Sequence, residues 1–211
     1  HAGFEGIQWS GLNKTVIAIF LSPMLGMLLA MLVMLASSWA LRRATAKFAE
    51  KSFRRLHLFS SAAYSISHGL NDAQKTMGII AVLLYSTGYL DGEFHVPHWV
   101  AISCYVAIAL GTLSGGWKII ETMGGRITKL SHHQGFAAST GGAIMVFAAS
   151  WFGIPVSTTH TITGSVIGAG VARRASAVRW GVASNVVVAW FITIPASAVV
   201  AAIFYSLTRL F

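Results

Sequence analysis

Two polar clusters interrupt an otherwise apolar chain. One is Gly153-Ile-Pro-Val-Ser-Thr-Thr-His-Thr-Ile-Thr-Gly-Ser-Val-Ile-Gly-Ala-Gly170. Its proline suits the first turn of a helix, where a missing N–H costs nothing. Ser157 and Thr158 are good N-cap residues for that start. A helix that begins inside a bilayer points unpaired N–H groups and a positive dipole end at whatever lies ahead. That is an anion-binding arrangement, and discontinuous membrane helices use it on anionic substrates. The competing reading is a helix start at the membrane surface, with Ser157, Thr158 and Thr159 in water.

The other cluster is Ser67-His-Gly-Leu-Asn-Asp-Ala-Gln-Lys-Thr-Met-Gly78. The apolar pieces on either side are each too short to cross a bilayer as helix, so Asp72 is expected near mid-membrane. An intramembrane carboxylate is costly and by default marks a functional site. Lys75 lies three residues on, within reach on one helical face. A structural Asp72–Lys75 ion pair is the bland alternative. Asn71 and Gln74 add uncharged ligands, and Asn, Asp and Thr oxygens together suit a hard cation or a proton. His68 and Asp72 are spaced i, i+4, and with His160 could form a metal site. No His-Glu-x-x-His pattern is present, so an intramembrane metalloprotease is a weak reading. No resident metal and no cofactor are expected.

The elements that must position these clusters follow from composition. The chain of 211 residues is 55% hydrophobic and 10% charged, where a soluble domain carries about 25% charged residues. Apolar runs at 16–39, 99–113 and 180–207 approach the ~20 residues that cross a bilayer. The expected fold is an all-α integral membrane protein: a multi-pass helical bundle with a broken transmembrane helix and a re-entrant hairpin. The first apolar run is too long for a signal peptide and lacks a cleavage site. The chain opens on His1, and a fragment is expected. Cys104 is the only cysteine, so no disulfide can form within one chain.

The net charge of +9 is clustered rather than spread. Twelve of the fifteen Lys and Arg fall in the segments 42–55, 118–129 and 173–179, between apolar runs. That is the positive-inside pattern, and it also suits anionic lipid headgroups. These loops are expected to be cytoplasmic, and nucleic-acid binding is not expected. Asp91 and Glu93, in a loop without Lys or Arg, suit the outside. The expected organisation is an outer segment and first transmembrane helix at 1–41. A cytoplasmic amphipathic linker follows at 42–57, with Phe48, Phe53 and Leu56 as its apolar residues. The transport repeat then occupies 58–211. It comprises a broken helix at 58–90, a helix at 99–118, a re-entrant hairpin at 135–170 (two thin spans being the alternative) and a final helix at 180–207. The arm from Ser157 to Ala172 is ~24 Å long, short of the ~30 Å hydrocarbon core, so its start falls below the outer surface.

An anion-shaped site and a cation-shaped site in one membrane chain suit an ion-coupled anion transporter. Gly69-Leu-Asn-Asp-Ala-Gln-Lys-Thr-Met-Gly78 and Pro155-Val-Ser-Thr-Thr-His160 together resemble the PiT family of inorganic phosphate transporters, its bacterial low-affinity members in particular. The resemblance runs from about Arg55 to the end. It implies two inverted repeats, of which this chain is the C-terminal one, with the N-terminal half of the same transporter as partner. By motif, Asn71 and Asp72 would coordinate the coupling cation and approach phosphate. Ser157, Thr158 and Thr159 would donate hydroxyls and backbone N–H groups to it, with Lys75, His160 and Thr140 in support. One departure stands out: family members commonly carry an acidic residue where this chain has Ser139, before Thr140-Gly141-Gly142. The implied coupling ion is a proton or sodium, with phosphate carried in some members as a neutral divalent metal–phosphate complex. Further expected partners are membrane lipid and a second copy of the chain as a homodimer, in the cell membrane. Other readings are transport of sulfate, arsenate or a similar oxyanion, and a non-transporting membrane enzyme or assembly subunit.

Overall fold

A computed structural model describes residues 8–90 and 93–208. Residues 1–7 of the expected outer segment and Asp91 of the expected outer loop lie outside the described residues. Seven α-helices carry the fold: α1 (Trp9–Ala40), α2 (Ala46–Ser86), α3 (His98–Ser114), α4 (Trp117–Glu121), α5 (His132–Trp151), α6 (Thr158–Arg173) and α7 (Trp180–Thr208). A π turn extends α4 over Thr122–Arg126, and a 3₁₀ turn fills Ala175–Ala177. By length and composition, α1 and α7 are long and apolar enough to cross a membrane. Their exposed Leu28, Phe191 and Ile203 suit a hydrocarbon surrounding.

The centre is a four-helix arrangement of α1, α2, α5 and α6. Down one side of α1 run Ala18, Ser22, Gly26, Ala30 and Met34, all buried and spaced by four. Small residues at this spacing let two helix backbones approach, which is how membrane helices pack where lipid removes the hydrophobic drive. α6 answers with Thr161, Gly164, Ser165 and Gly168. A Cβ on Gly26 would stand 2.7 Å from the Thr161 carbonyl, and one on Gly164 would fall on the Pro23 carbonyl. α1 and α6 therefore run parallel in close contact. α5 runs antiparallel to α1, with Ser37 Oγ 2.7 Å from His133 Nε2 at one end and Ala18 against Ala149 at the other. It runs parallel to α2, with Gly135 on His57, Gly142 on Tyr64 and Asn71 Nδ2 donating to Ser150 Oγ at 3.2 Å. α3 covers α2 through Val100 and Cys104 on Ala73 and Met77.

The expected break within 58–90 is absent: α2 is one unbroken helix of 41 residues, which also absorbs the linker from Ala46 onward. Thr45 caps it by accepting from Phe48 N. Two internal glycines cost a helix only about 1 kcal/mol each. The polar side chains of 67–78 bond largely to neighbouring helices or to one another, so they do not unwind their own backbone. Within the linker only Phe53 is buried, stacked 3.8 Å from the His133 ring, while Phe48 and Leu56 stay exposed. Burial lowers the pKa of both His57 and His133 at this end of the bundle.

A break does occur, but in the helix expected at 99–118. It ends at Ser114, and after Gly115 and Gly116 the chain resumes with a 67° bend. Gly116 has φ +92°, a conformation that favours glycine. The hairpin expected at 135–170 is an antiparallel pair, α5 and α6. Gln134, at the start of α5, donates to the Ala169 carbonyl near the end of α6. Ser131 and Gln134 form a capping box at its base, and Gly153 with φ +63° turns the chain at its tip.

Candidate functional site

The hairpin tip does not reach the end of the bundle. The start of α6 meets α1 between Thr15 and Ile19, about 9–15 Å along that helix from Trp9 by its rise per residue. Asp72 lies at the same level on α2, some 21 Å short of Ser86. Here Ser157 caps α6: its Oγ accepts from His160 N at 3.3 Å, and its carbonyl takes the first intrahelical bond, from Thr161 N. The N–H groups of Thr158 and Thr159 precede that bond and have no partner within the helix. Tyr64 Oη donates to the Thr158 carbonyl at 3.0 Å and ties this start to α2.

The Asp72 carboxylate is held from three sides. Oδ1 accepts from Lys75 Nζ at 3.1 Å. Oδ2 lies 2.9 Å from His68 Nε2 and accepts from Thr158 Oγ1 at 3.2 Å. Lys75 Nζ also donates to the Val156 carbonyl at 2.8 Å. A cavity of about 510 Å³ is lined by Thr15, Ile19, Asp72, Lys75, Thr76 and the stretch 155–159. A second, of about 280 Å³, is lined by Asn71, Gln74, Lys75, Ser150 and the turn 153–155. Lys75 borders both. Asn71 is buried, and its Oδ1 has no hydrogen-bond partner among the described residues. A larger space of about 580 Å³ between α2 and α3 has mostly apolar walls around His68, Tyr105 and Thr112, and it lacks the free N–H groups an anion needs.

The structure thus gathers Asp72, Lys75, Ser157, Thr158 and Thr159 around one cavity, with Asn71 beside it. Thr140 and His160 stand apart. Thr140 lies ten residues before Ser150 on α5, about 15 Å from the Asn71 level. His160 stacks on Trp190 of α7 with ring centroids 3.9 Å apart and faces the backbone of Ile19. Pro23, lacking an N–H, leaves the Ile19 carbonyl without its intrahelical donor. The His68–Asp72–His160 metal grouping is therefore not assembled. Among the described residues no three His, Cys, Asp or Glu side chains gather to hold a metal. Ser139 is half-buried, on the α2-facing side of α5 with Gly135 and Gly142. Tyr64, Ser150 and the Val156 carbonyl are members that the sequence reading missed. Tyr64 was within reach of it, since 64, 68 and 72 share one helical face.

A charged cavity at the start of an interior helix, inside an apolar helical bundle, has the make-up of a membrane transporter. The chain belongs to the phosphate transporter family, whose model matches residues 42–201. It is 61% identical over 203 residues to a probable low-affinity inorganic phosphate transporter of Rhizobium meliloti, covering 96% of this chain and 61% of that protein. A protein of the same description from Bacillus subtilis is 38% identical, with 97% and 61% covered. The chain spans about three fifths of the length of these relatives. Among solved structures, one titled the sodium-dependent phosphate transporter superposes with a TM-score of 0.83 at 26% identity, covering 99% of this chain and 69% of that one.

Proposed function

We propose that the full-length protein carries inorganic phosphate across the cell membrane by ion-coupled secondary transport. The observation that carries this reading is the shared cavity, where the start of α6 and the Lys75 ammonium face one space beside Asp72. Thr158 and Thr159 N–H groups, the Ser157 and Thr159 hydroxyls and Asn71 hold the anion. Asp72 is the acidic group through which positive charge, as a cation or proton, is coupled to it. The solved relative is a sodium-dependent phosphate transporter, which supports coupling as a principle. The segments 42–55, 118–129 and 173–179 face the cytoplasm, α5 and α6 form a re-entrant hairpin, and the N-terminal part of the protein supplies the facing half of the site.

The test is labelled-phosphate uptake into vesicles by the full-length protein, with sodium, proton and magnesium varied in turn. Asp72→Asn keeps size and hydrogen bonding but removes the charge. Uptake should fall to background while the protein still inserts. Normal uptake by the Asn variant at saturating cation would reduce Asp72 to half of a structural pair. Hydroxyl and N–H donors discriminate poorly among tetrahedral oxyanions, so sulfate and arsenate belong in the same assay as competitors. Stronger competition by either than by unlabelled phosphate would reassign the substrate.

A further inference from the structure

A monovalent metal ion held beside Asp72 would require the carboxylate together with inward-facing backbone carbonyls, the donors that interrupted membrane helices offer to coupling ions. The structure contains such a pair: Asp72 Oδ1 on α2, and the Val156 carbonyl on the turn before α6. Lys75 Nζ lies between them, 3.1 Å from the first and 2.8 Å from the second. An ammonium is a compact single positive charge with three donors. An ordinary i, i+3 surface pair would have no need of a carbonyl 81 residues away in sequence. Val156 is buried, and its carbonyl precedes the Ser157 cap and so stands outside the helical ladder. The other carboxylate oxygen is taken by His68 and Thr158. Another cation would have to displace Lys75 and would meet its like charge.

We propose that Lys75 is a tethered cation, whose ammonium takes the place of a sodium ion between Asp72 and the Val156 carbonyl. The charge that neutralises Asp72 and faces the anion is then part of the chain, and this site needs no sodium. The role in anion binding rests on the phosphate reading above; the occupation of the cation position does not.

The experiment uses the full-length protein with two readouts, each in sodium chloride and in choline chloride: phosphate uptake into vesicles, and thermal melting of the purified protein in detergent. Lys75→Ala and Lys75→Gln vacate the position between carboxylate and carbonyl. In choline their uptake should fall about 10- to 100-fold, the loss expected for one charge-assisted contact. Sodium should restore much of it in Lys75→Ala and raise that variant's melting temperature beyond any effect on wild type. Adding Asp72→Asn to Lys75→Ala should abolish the sodium-induced melting shift. Lys75→Arg, which keeps the charge, should show no sodium rescue. An equal sodium response in wild type and both variants overturns the proposal, as does a sodium-induced shift in wild type that Asp72→Asn removes. If wild type takes up no phosphate in either salt, the phosphate reading falls, and the melting comparison still decides the tethered cation.

Discussion

Ser157, Thr158 and Thr159 carry the same functional group, yet their hydroxyls are committed differently. Ser157 Oγ is the α6 cap, Thr158 Oγ1 donates to Asp72, and Thr159 Oγ1 makes no hydrogen bond among the described residues while lining the cavity. Thr159 is therefore the hydroxyl most available to an anion. Thr159→Val keeps shape, β-branching and backbone N–H but deletes that donor. A hydrogen bond to a charged acceptor contributes roughly 1.5–3 kcal/mol, so apparent phosphate affinity should weaken about 10- to 100-fold. Thr193→Val, which deletes a hydroxyl of the same kind from the exposed face of α7 away from this cavity, is the control and should leave affinity unchanged. Uptake kinetics at normal expression read both. Unchanged affinity in Thr159→Val would leave the anion to backbone N–H groups and Lys75. Thr158→Val should act differently, because it strips a donor from Asp72 and so disturbs the charged side of the site.

At the scale of elements, the contact between α1 and α6 sets where those residues stand. Gly164 and Gly168 lie directly on the Pro23 and Met27 carbonyls, so no side chain fits between the helices. Gly164→Ala must push α6 away from α1. Overpacking of this kind costs about 1–3 kcal/mol, and the displaced helix start should lower phosphate affinity as well as melting temperature. Gly11→Ala is the matched control, since its Cβ meets nothing within 4 Å, and it should be neutral or stabilising by up to ~1 kcal/mol. A Gly164→Ala protein that melts like wild type would show that the two helices separate freely. Asn71, Asp72 and the 157–159 hydroxyls were legible because polar groups in apolar runs are costly unless used. The hairpin was legible from proline, glycine and length. The continuity of α2 was not, because it depends on partners such as Ser150 and Thr158 that lie 79 and 86 residues away. Lys75 was readable as a partner of Asp72 from its spacing. Its carbonyl partner was hidden, because only the fold of the 152–157 turn brings Val156 to it.

For the whole molecule, the bundle gathers its basic segments at one end. Ile127 and Val178 join Met34 in one buried cluster, and Arg179 N donates to the Ile127 carbonyl at 2.8 Å. Ser37 on α1 meets His133 on α5 beside them. The α1–α2 junction at Arg42 and Arg43, the approach to α5 at Lys129 and the end of α6 at Arg174 therefore share one side of the fold. The hairpin tip and the Ser86 end of α2 point the other way. Clustered Lys and Arg are retained on the cytoplasmic side, so single cysteines near Arg43, Lys129 and Arg174 should all react with a membrane-impermeant thiol reagent only from inside. One near Glu93 should react only from outside. Cys104, the one native thiol, is buried against α2 and must first be replaced. The pair at 129 and 174 is the decisive one, because α5 and α6 must start and end on the same face whether they re-enter or cross twice. Labelling of those two positions from opposite sides would mean that one span separates them, and then Ser157 could not begin a helix inside the bundle facing Asp72.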